Sequence, residues 1–507
     1  MEKFGLTWPE KDLARSKAFE PIGKILSPMK NDSANWDTTQ NLIIEGDNLD
    51  ALKLLQKSYY GKVKLIYIDP PYNTGNDFVY DDDFAESSAE YLARSGQRSE
   101  AGDRLVANTE ANGRFHSDWL SMMYSRLKLA RSLLTDDGVM IVAIDDHEHA
   151  NLRSLLDMVF GADNFLADVV WQGSGKNDAR FTSGGLDYML IYARSKKTLI
   201  GLDVRFKGPK RGYDDVMEAG RRAWEESGHD AGRATALYRD WWKTKPDVEA
   251  GLKAYRDIDE LGQIFTRDNL ASPNPRENLQ YEVLHPVTRQ PVPMHEYGWR
   301  LSREAMEERI AQDRILFGAD HTTTPRFKRL LGDMDRQAIR PVIQQERAPA
   351  SDALTKLLDG KMFDYPKDVG VLGTWIDAVT SSDKDAIILD FFAGSGSTGH
   401  AVIAANASDG GNRRYIMVQL PEPVKSDQFD TIADITRERM RRAGKIISTE
   451  SDKPVDIGFR AYSIDDASND DTNQESQRLL NAGLELTEQL SSDELDIDTL
   501  DDVLLAT

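Results

Sequence analysis

The 507-residue chain carries 85 Asp and Glu against 63 Lys and Arg, a formal charge of -22, with 40% hydrophobic and 29% charged residues. This balance is globular, excludes a disordered or fibrous protein, and leaves room for several domains around a large core. The absence of cysteine removes disulfides, cysteine-ligated zinc and thiol catalysis together. The start, MEKFGLTWPEKDLARSK, has scattered charges and no apolar h-region, and no run of about 18 apolar residues follows. A soluble, cytoplasmic protein that does not span a membrane is expected.

The negative charge is unevenly spread. From Asp465 to Asp502 there are 13 acidic residues and one Arg, a net of -12, so the body of the chain is only mildly acidic. Residues 203–347 hold 25 charges of each sign, and Arg326–Arg347 holds six basic against three acidic. A basic groove for phosphates and a solvated mixed-charge surface both fit these counts.

After an N-terminal arm (1–40), NLIIEGD at 41–47 reads as a short buried strand. NLDALKLLQKSYYG follows as an amphipathic helix, and KVKLIYID as a second apolar strand. A polar loop (81–115) leads to FHSDWLSMMYSRLKLARSLLTDDG, a helix with a glycine stop, and then to the strand VMIVAIDD. HANLRSLLDMVFG is a further helix and DYMLIYAR a further strand. The alternation predicts parallel β-α-β units in a doubly wound α/β sheet over 41–202. The rhythm breaks at 203 and resumes near 346, with the strand AIILDFF, the helix STGHAVIAANASDG, the strand RRYIMVQL and the basic-faced helix TIADITRERMRRAGKII. An inserted domain is expected at 203–345, a second half of the sheet domain at 346–463, and an acidic C-terminal segment at 464–507.

Two strand ends carry chemistry. Asp69-Pro70-Pro71-Tyr72 follows the apolar strand LIYI, at the carboxyl end where doubly wound sheets hold ligands. The prolines stiffen the turn and fix the Asp69 carboxylate and the Pro70 carbonyl as two hydrogen-bond acceptors. Two fixed acceptors suit an amino group with two N–H donors, such as the exocyclic amine of a nucleobase. Tyr72 offers an aromatic face for a base taken out of its stack. A rigid turn with a satisfied aspartate is the plainer reading of the same residues. The second strand end runs from Asp390 through Phe392-Ala393-Gly394-Ser395-Gly396 into a helix, where glycines admit a ligand to the backbone. A tight β-α turn without a ligand fits as well. A Walker loop fits poorly because no GK[ST] follows, and GSGKND at 173 lacks both the first glycine and the hydroxyl residue.

Together, the two motifs resemble those of DNA amino-methyltransferases, in which a D/S-P-P-Y/W motif holds the target amine and an F-x-G-x-G turn binds S-adenosylmethionine. The order, catalytic motif first, is similar to the β group. DPPYNTGNDFVYDDDF, WLSMMYSRLKLARSLL, VAIDDHEHANLRSLLDMVFG, FDYPKD, ILDFFAGSGSTGHAV and DGGNRRYIMVQLPE resemble the Mod subunits of type III restriction-modification systems. The resemblance implies a Rossmann-like methyltransferase sheet with a target-recognition domain inserted at 203–345. It implies catalysis at Asp69, Pro70, Pro71 and Tyr72, and cofactor binding at Asp390, Phe392, Ala393, Gly394, Ser395 and Gly396. Lys367 falls in the block that closes over the methionine part of the cofactor. Asp47 matches a position near the cofactor's adenine, and a helix N-cap fits it equally. Gln419 stands where many relatives have an acid for the ribose hydroxyls, with Glu422 as a substitute, and SGSTGHA replaces SGTTAHA.

Asp at position 69 favours adenine N6 over cytosine N4. The expected reaction is direct methyl transfer to a flipped adenine in double-stranded DNA, without a metal. The expected partners are a second copy in a homodimer and a separate restriction subunit with helicase and nuclease activity. A recognition subunit guiding that partner, and a cytosine or RNA amino-methyltransferase, remain alternatives. His147 and His149 in DDHEHAN read as a solvated strand end rather than metal ligands, and Trp241-Trp242 as domain core.

Overall fold

The structure, a computed structural model, describes residues 5–74, 115–173, 185–244 and 248–467. Residues 75–84 of the long DPPY block, nearly all of the 81–115 loop and of GSGKND, and the acidic stretch from 468 onward lie outside the described residues. The chain divides into two compact units. The larger runs to Phe206 and resumes at Arg340, and the smaller spans Lys207–Ile339.

The larger unit is built on a ten-stranded sheet. Its strands are β1 (Lys24–Pro28), β2 (Leu42–Glu45), β3 (Val63–Ile68), β4 (Leu134–Ile144), β5 (Phe165–Gln172), β6 (Leu186–Ala193), β7 (Val342–Gln344), β8 (Ile387–Asp390), β9 (Arg414–Gln419) and β10 (Arg460–Asp466). Their spatial order is β1-β10-β2-β9-β8-β3-β4-β6-β5-β7. All neighbours are parallel except where β1 and β6 are inserted antiparallel. Its helices include α1 (Lys11–Phe19), α2 (Asn48–Tyr59), α3 (Phe115–Leu133), α4 (His149–Phe160), α5 (Val369–Thr380), α6 (Ser397–Asp409) and α7 (Ile432–Glu450).

The strands read as unbroken apolar runs because both faces of the sheet are covered. Leu42, Ile44, Val142, Ile144, Ile416 and Val418 share one core with residues of α1 to α4. The alternate residues Ile43, Ile141 and Met417 are equally buried on the other face, where the Met417 methyl packs on Gly399 of α6 and α5, α6 and α7 pack in series. This is a doubly wound α/β sheet.

Several elements differ from expectation. The N-terminal arm is part of this unit: α1 packs on α3, the Trp8 indole donates to Ser121 Oγ at 2.9 Å, and β1 forms a sheet edge. Helix α3 ends at Leu133, five residues before the expected glycine stop. Gly138 instead lies inside β4, where Val63 pairs with Leu134 and Leu65 with Val139, and the extra residues bulge. A Cβ on Gly138 would come within 2.8 Å of the Thr135 carbonyl, so the bulge needs glycine. Strand β5 was not foreseen, because FLADVVWQ is only partly buried and lacks a strong period. The expected insertion limits 203 and 345 shift to 207 and 339, since Val342–Gln344 joins the main sheet beside β5. Likewise residues 464–466, assigned to the acidic tail, complete β10.

The smaller unit has an antiparallel four-stranded sheet ordered Ile315–Leu316, Arg326–Leu330, Ile264–Asp268, Asp257–Ile258. Two helices, Tyr213–Glu226 and Ala231–Trp241, pack on it through a core holding Val216, Tyr238 and Trp242, with Trp241 against its margin. The basic run at 326–347 is largely spent internally: Lys328 pairs with Asp259 and Asp313, and Arg329 with Asp268. Among the described residues, no helix is long and apolar enough to cross a membrane.

Candidate active site

Strands β3 and β8 are hydrogen-bonded neighbours although more than three hundred residues separate them, so their carboxyl ends open side by side. Asp69 to Tyr72 leave β3, and Phe391 to Gly396 leave β8. Both turns line one cavity of about 570 Å³, which includes Tyr67, Asp69, Pro70, Pro71, Tyr72, Asp390, Phe392, Ala393, Gly394 and Ser395. Of the expected site residues, Lys367 joins them from the loop before α5.

The proline turn is tied from below. Trp119 Nε1 on α3 donates to the Pro71 carbonyl at 2.8 Å. Asn73 adopts a left-handed φ of 60° and is held by buried Glu148. At the cavity, Tyr72 Oη donates to Asp69 Oδ1 at 2.9 Å. Lys367 Nζ donates to Tyr72 Oη at 2.5 Å and lies 3.1 Å from Asp69 Oδ1. The same ammonium lies 3.1 Å from Asp187 Oδ2, and Arg347 closes the row 2.8 Å from Asp187 Oδ1. Two carboxylates and two cations thus alternate in a row that is most deeply buried at Asp187 and more open at Asp69 and Arg347. Burial pushes the Asp69 carboxyl above its ordinary range, against the pull of Lys367. Burial also disfavours the Lys367 charge, but Asp69 and Asp187 more than offset that and raise its pKa. The Tyr67 hydroxyl lines the cavity and is buried without a hydrogen-bond partner among the described residues.

The glycine turn is braced from three sides. Asp390 Oδ1 accepts from Phe392 N at 3.0 Å, and its Oδ2 from the Thr398 hydroxyl at 2.6 Å. Gln419 Oε1, at the end of β9, accepts from Gly394 N at 2.7 Å, and the Thr436 hydroxyl donates to the Gly394 carbonyl at 2.6 Å. Gly394 and Gly396 have φ of 52° and 82°. A Cβ on Gly394 would lie 3.3 Å from the Phe363 ring, which lines the cavity, so glycine keeps this wall open.

The DNA methylase family model matches residues 63–426. The chain is 31% identical over 476 residues to the Mod subunit of the type III restriction-modification enzyme EcoP15I from Escherichia coli, covering 91% of this chain and 71% of that subunit. The chain belongs to the DNA methylase family. It is also 30% identical over 486 residues to the EcoPI Mod subunit of Escherichia phage P1, covering 92% of this chain and 72% of that one. Against the cytosine-N4-specific PvuII DNA methyltransferase, the TM-score is 0.35 at 12% identity, over 81% of this chain and 94% of that one. The protein is an S-adenosylmethionine-dependent DNA methyltransferase of the type III Mod-subunit kind.

The methylase brings most of its sequence-predicted residues together, with three placed differently. Asp47 does not line the cavity; its carboxylate caps α2 through Leu49 N and Asp50 N and lies 3.3 Å from Arg126. Lys367, expected against the cofactor, has its ammonium on Asp69 and Tyr72. Gly396 stands behind the wall as the N-cap of α6. Gln419 uses its amide oxygen on the glycine turn, and Glu422 lines the cavity beside it. His147 folds back on Asp145 at 2.9 Å and His149 pairs with Asp168 at 2.8 Å, so the two imidazoles diverge. Sequence reasoning gives no site role to Asp187, Arg347, Glu148 or Arg439: Glu148 lies between two histidines, Arg439 is one of four arginines on a basic helix face, and nothing local marks the other two.

The cavity residues fit S-adenosylmethionine. The open glycine wall, the orphan Tyr67 hydroxyl and the acid Asp390 suit a cationic ligand with a flat base and a polar tail.

Proposed function

We propose that the methylase modifies adenine N6 in duplex DNA, with the target base turned out of its stack into the cavity beside Asp69. The observation that carries this reading is the Asp69-Tyr72 pair at the end of β3, sharing one cavity with the glycine turn of the adjacent β8. Bound S-adenosylmethionine supplies an electrophilic methyl group on its sulfonium.

The chain's own residues position the acceptor. Asp69 Oδ1 is occupied by Tyr72 and Lys367, which leaves Oδ2 for an amine N–H. An amine whose hydrogens are held by Asp69 and the Pro70 carbonyl can pyramidalise and present its lone pair. Asp69 stabilises the positive charge that develops on the nitrogen and accepts or passes on the released proton. Alignment of the two reactants, rather than a covalent enzyme intermediate, lowers the barrier. The Tyr72 ring, fixed through its hydroxyl, provides the stacking face.

In this proposal the Lys207–Ile339 unit reads the DNA sequence, the chain pairs with a second copy, and a separate restriction subunit is a partner, the last in keeping with the relatives' being Mod subunits of type III restriction-modification enzymes. The test is mass spectrometry of nucleosides from unmethylated duplex DNA incubated with the protein and S-adenosylmethionine, with Asp69→Ala as control. N6-methyladenine that depends on Asp69 supports the reading. N4-methylcytosine overturns the choice of base.

A further inference from the structure

Arg439 on α7 is 3% exposed. Its NH1 donates to Ser395 Oγ and to Ser397 Oγ, each at 2.8 Å, and its Nε is buried without a partner. The other arginines of this helix each hold a carboxylate: Arg437 has Glu45 and Asp434, and Arg441 and Arg442 share Glu438. Arg439 has none among the described residues, and burial alone lowers its guanidinium to about 10.

Its other neighbours add no negative charge. His400 is half-buried with its Nδ1 enclosed and unpartnered, and desolvation together with Arg439 pushes it down to about 3, so it stays neutral. The N-terminus of α6, which begins at Ser397, contributes further positive potential. A buried, uncompensated cation is costly, and a fold that keeps one has an anion to set against it.

The hydroxyl geometry says where that anion sits. Each serine oxygen accepts from Arg439, so each hydroxyl proton is left to donate elsewhere. Among the described residues neither donates, and both serines line the cavity that holds Asp69 and the glycine turn. Two hydroxyl donors backed by a guanidinium and a helix N-terminus make a seat for a carboxylate.

We propose that Arg439 is a positioning residue for the amino-acid end of the cofactor, turning Ser395 and Ser397 into donors to the α-carboxylate of S-adenosylmethionine. The inference rests on the cofactor occupying this cavity. It adds that recognition of the carboxylate originates in a residue that does not itself line the site.

Calorimetric titration compares S-adenosylhomocysteine with its decarboxylated counterpart, which differs by that one group. The wild-type protein is expected to prefer the carboxylated ligand by about 30-fold or more, the range of charge-assisted hydrogen bonds. In Arg439→Met the preference falls to about threefold or less, and Arg439→Lys, which keeps the charge, restores part of it. Ser395→Ala with Ser397→Ala gives the same collapse and decides the matter if Arg439→Met does not fold. Equal weakening of both ligands, or an unchanged preference, overturns the inference and leaves Arg439 a scaffold residue. Failure of the wild-type protein to bind S-adenosylhomocysteine at all would instead overturn the placement of the cofactor.

Discussion

Asn73 Nδ2 donates to Glu148 Oε1 at 2.6 Å, and this contact fastens the catalytic turn to the start of α4. Glu148 is completely buried and also receives Asn151 Nδ2 at 2.7 Å, with His116 Nδ1 2.6 Å away. The turn after Tyr72 is therefore held in part by a hidden carboxylate, beside the Phe115 carbonyl, which accepts from Asn73 Nδ2 at 3.2 Å. Glu148→Ala would leave buried donors unpaired and is expected to destabilise the protein by about 2–3 kcal/mol. Turnover should fall while affinity for S-adenosylhomocysteine changes little. Thermal unfolding and single-turnover methylation check the two parts, and loss of cofactor affinity in proportion to turnover would contradict them.

Asp69→Asn tests the acceptor itself. An amide replaces one acceptor with donors that oppose the amine, so the methyl-transfer rate should drop by about 100-fold or more. Because the glycine turn is braced independently by Asp390, Gln419 and Thr436, cofactor affinity should stay within a few fold. Transfer of labelled methyl groups under single-turnover conditions, beside a cofactor titration, separates these effects.

Gly394→Ala places a methyl group 3.3 Å from the Phe363 ring at a φ of 52°. The left-handed backbone alone costs about 1–2 kcal/mol with a side chain present. The larger expected effect is a weaker hold on S-adenosylhomocysteine, since the methyl group narrows the cavity wall. Unchanged binding would show that the cofactor does not pass this point.

Asp390 gives a pH signature. Burial raises its carboxyl to about 7, well above the ordinary value near 3.8. The folded state therefore holds this proton more tightly than the unfolded chain, so stability is greatest below the unfolded value. It declines as pH rises toward 7 and levels off above. Urea unfolding at pH 4 and pH 8 should show wild-type protein losing on the order of 4 kcal/mol more than Asp390→Asn across that span. A cationic sulfonium in the cavity favours the ionised form, so S-adenosylmethionine affinity should rise through pH 7 more steeply than that of uncharged-sulfur S-adenosylhomocysteine. Parallel pH profiles for the two ligands would remove Asp390 from the sulfonium's surroundings.

Much of the sheet was legible because its strands are short apolar runs ended by turn residues. LIYI before Asp69 and IILD before Phe391 are buried on both faces, and such runs stand out against polar surroundings. Helix α7 was legible as a basic-faced helix, but where its charges go was not: Arg437, Arg439, Arg441 and Arg442 are spent on internal partners. The bulge at Gly138 and strand β5 were missed because the first depends on register between strands and the second on an antiparallel partner that local periodicity does not reveal.

The sequence by itself determined the two chemical motifs, the alternation that implies a doubly wound sheet, and the break where the second compact unit begins. These are local properties, written in side-chain period and turn chemistry over a dozen residues at a time. Tertiary structure alone decided that β3 and β8 lie side by side and that Lys367 meets Asp69 and Asp187. It alone set Glu148 to hold Asn73 and left Arg439, among the described residues, without a carboxylate beneath Ser395 and Ser397. Those relations join residues tens to hundreds of positions apart. They arise from which faces can be buried together, a property of the packed whole and not of any stretch of the chain.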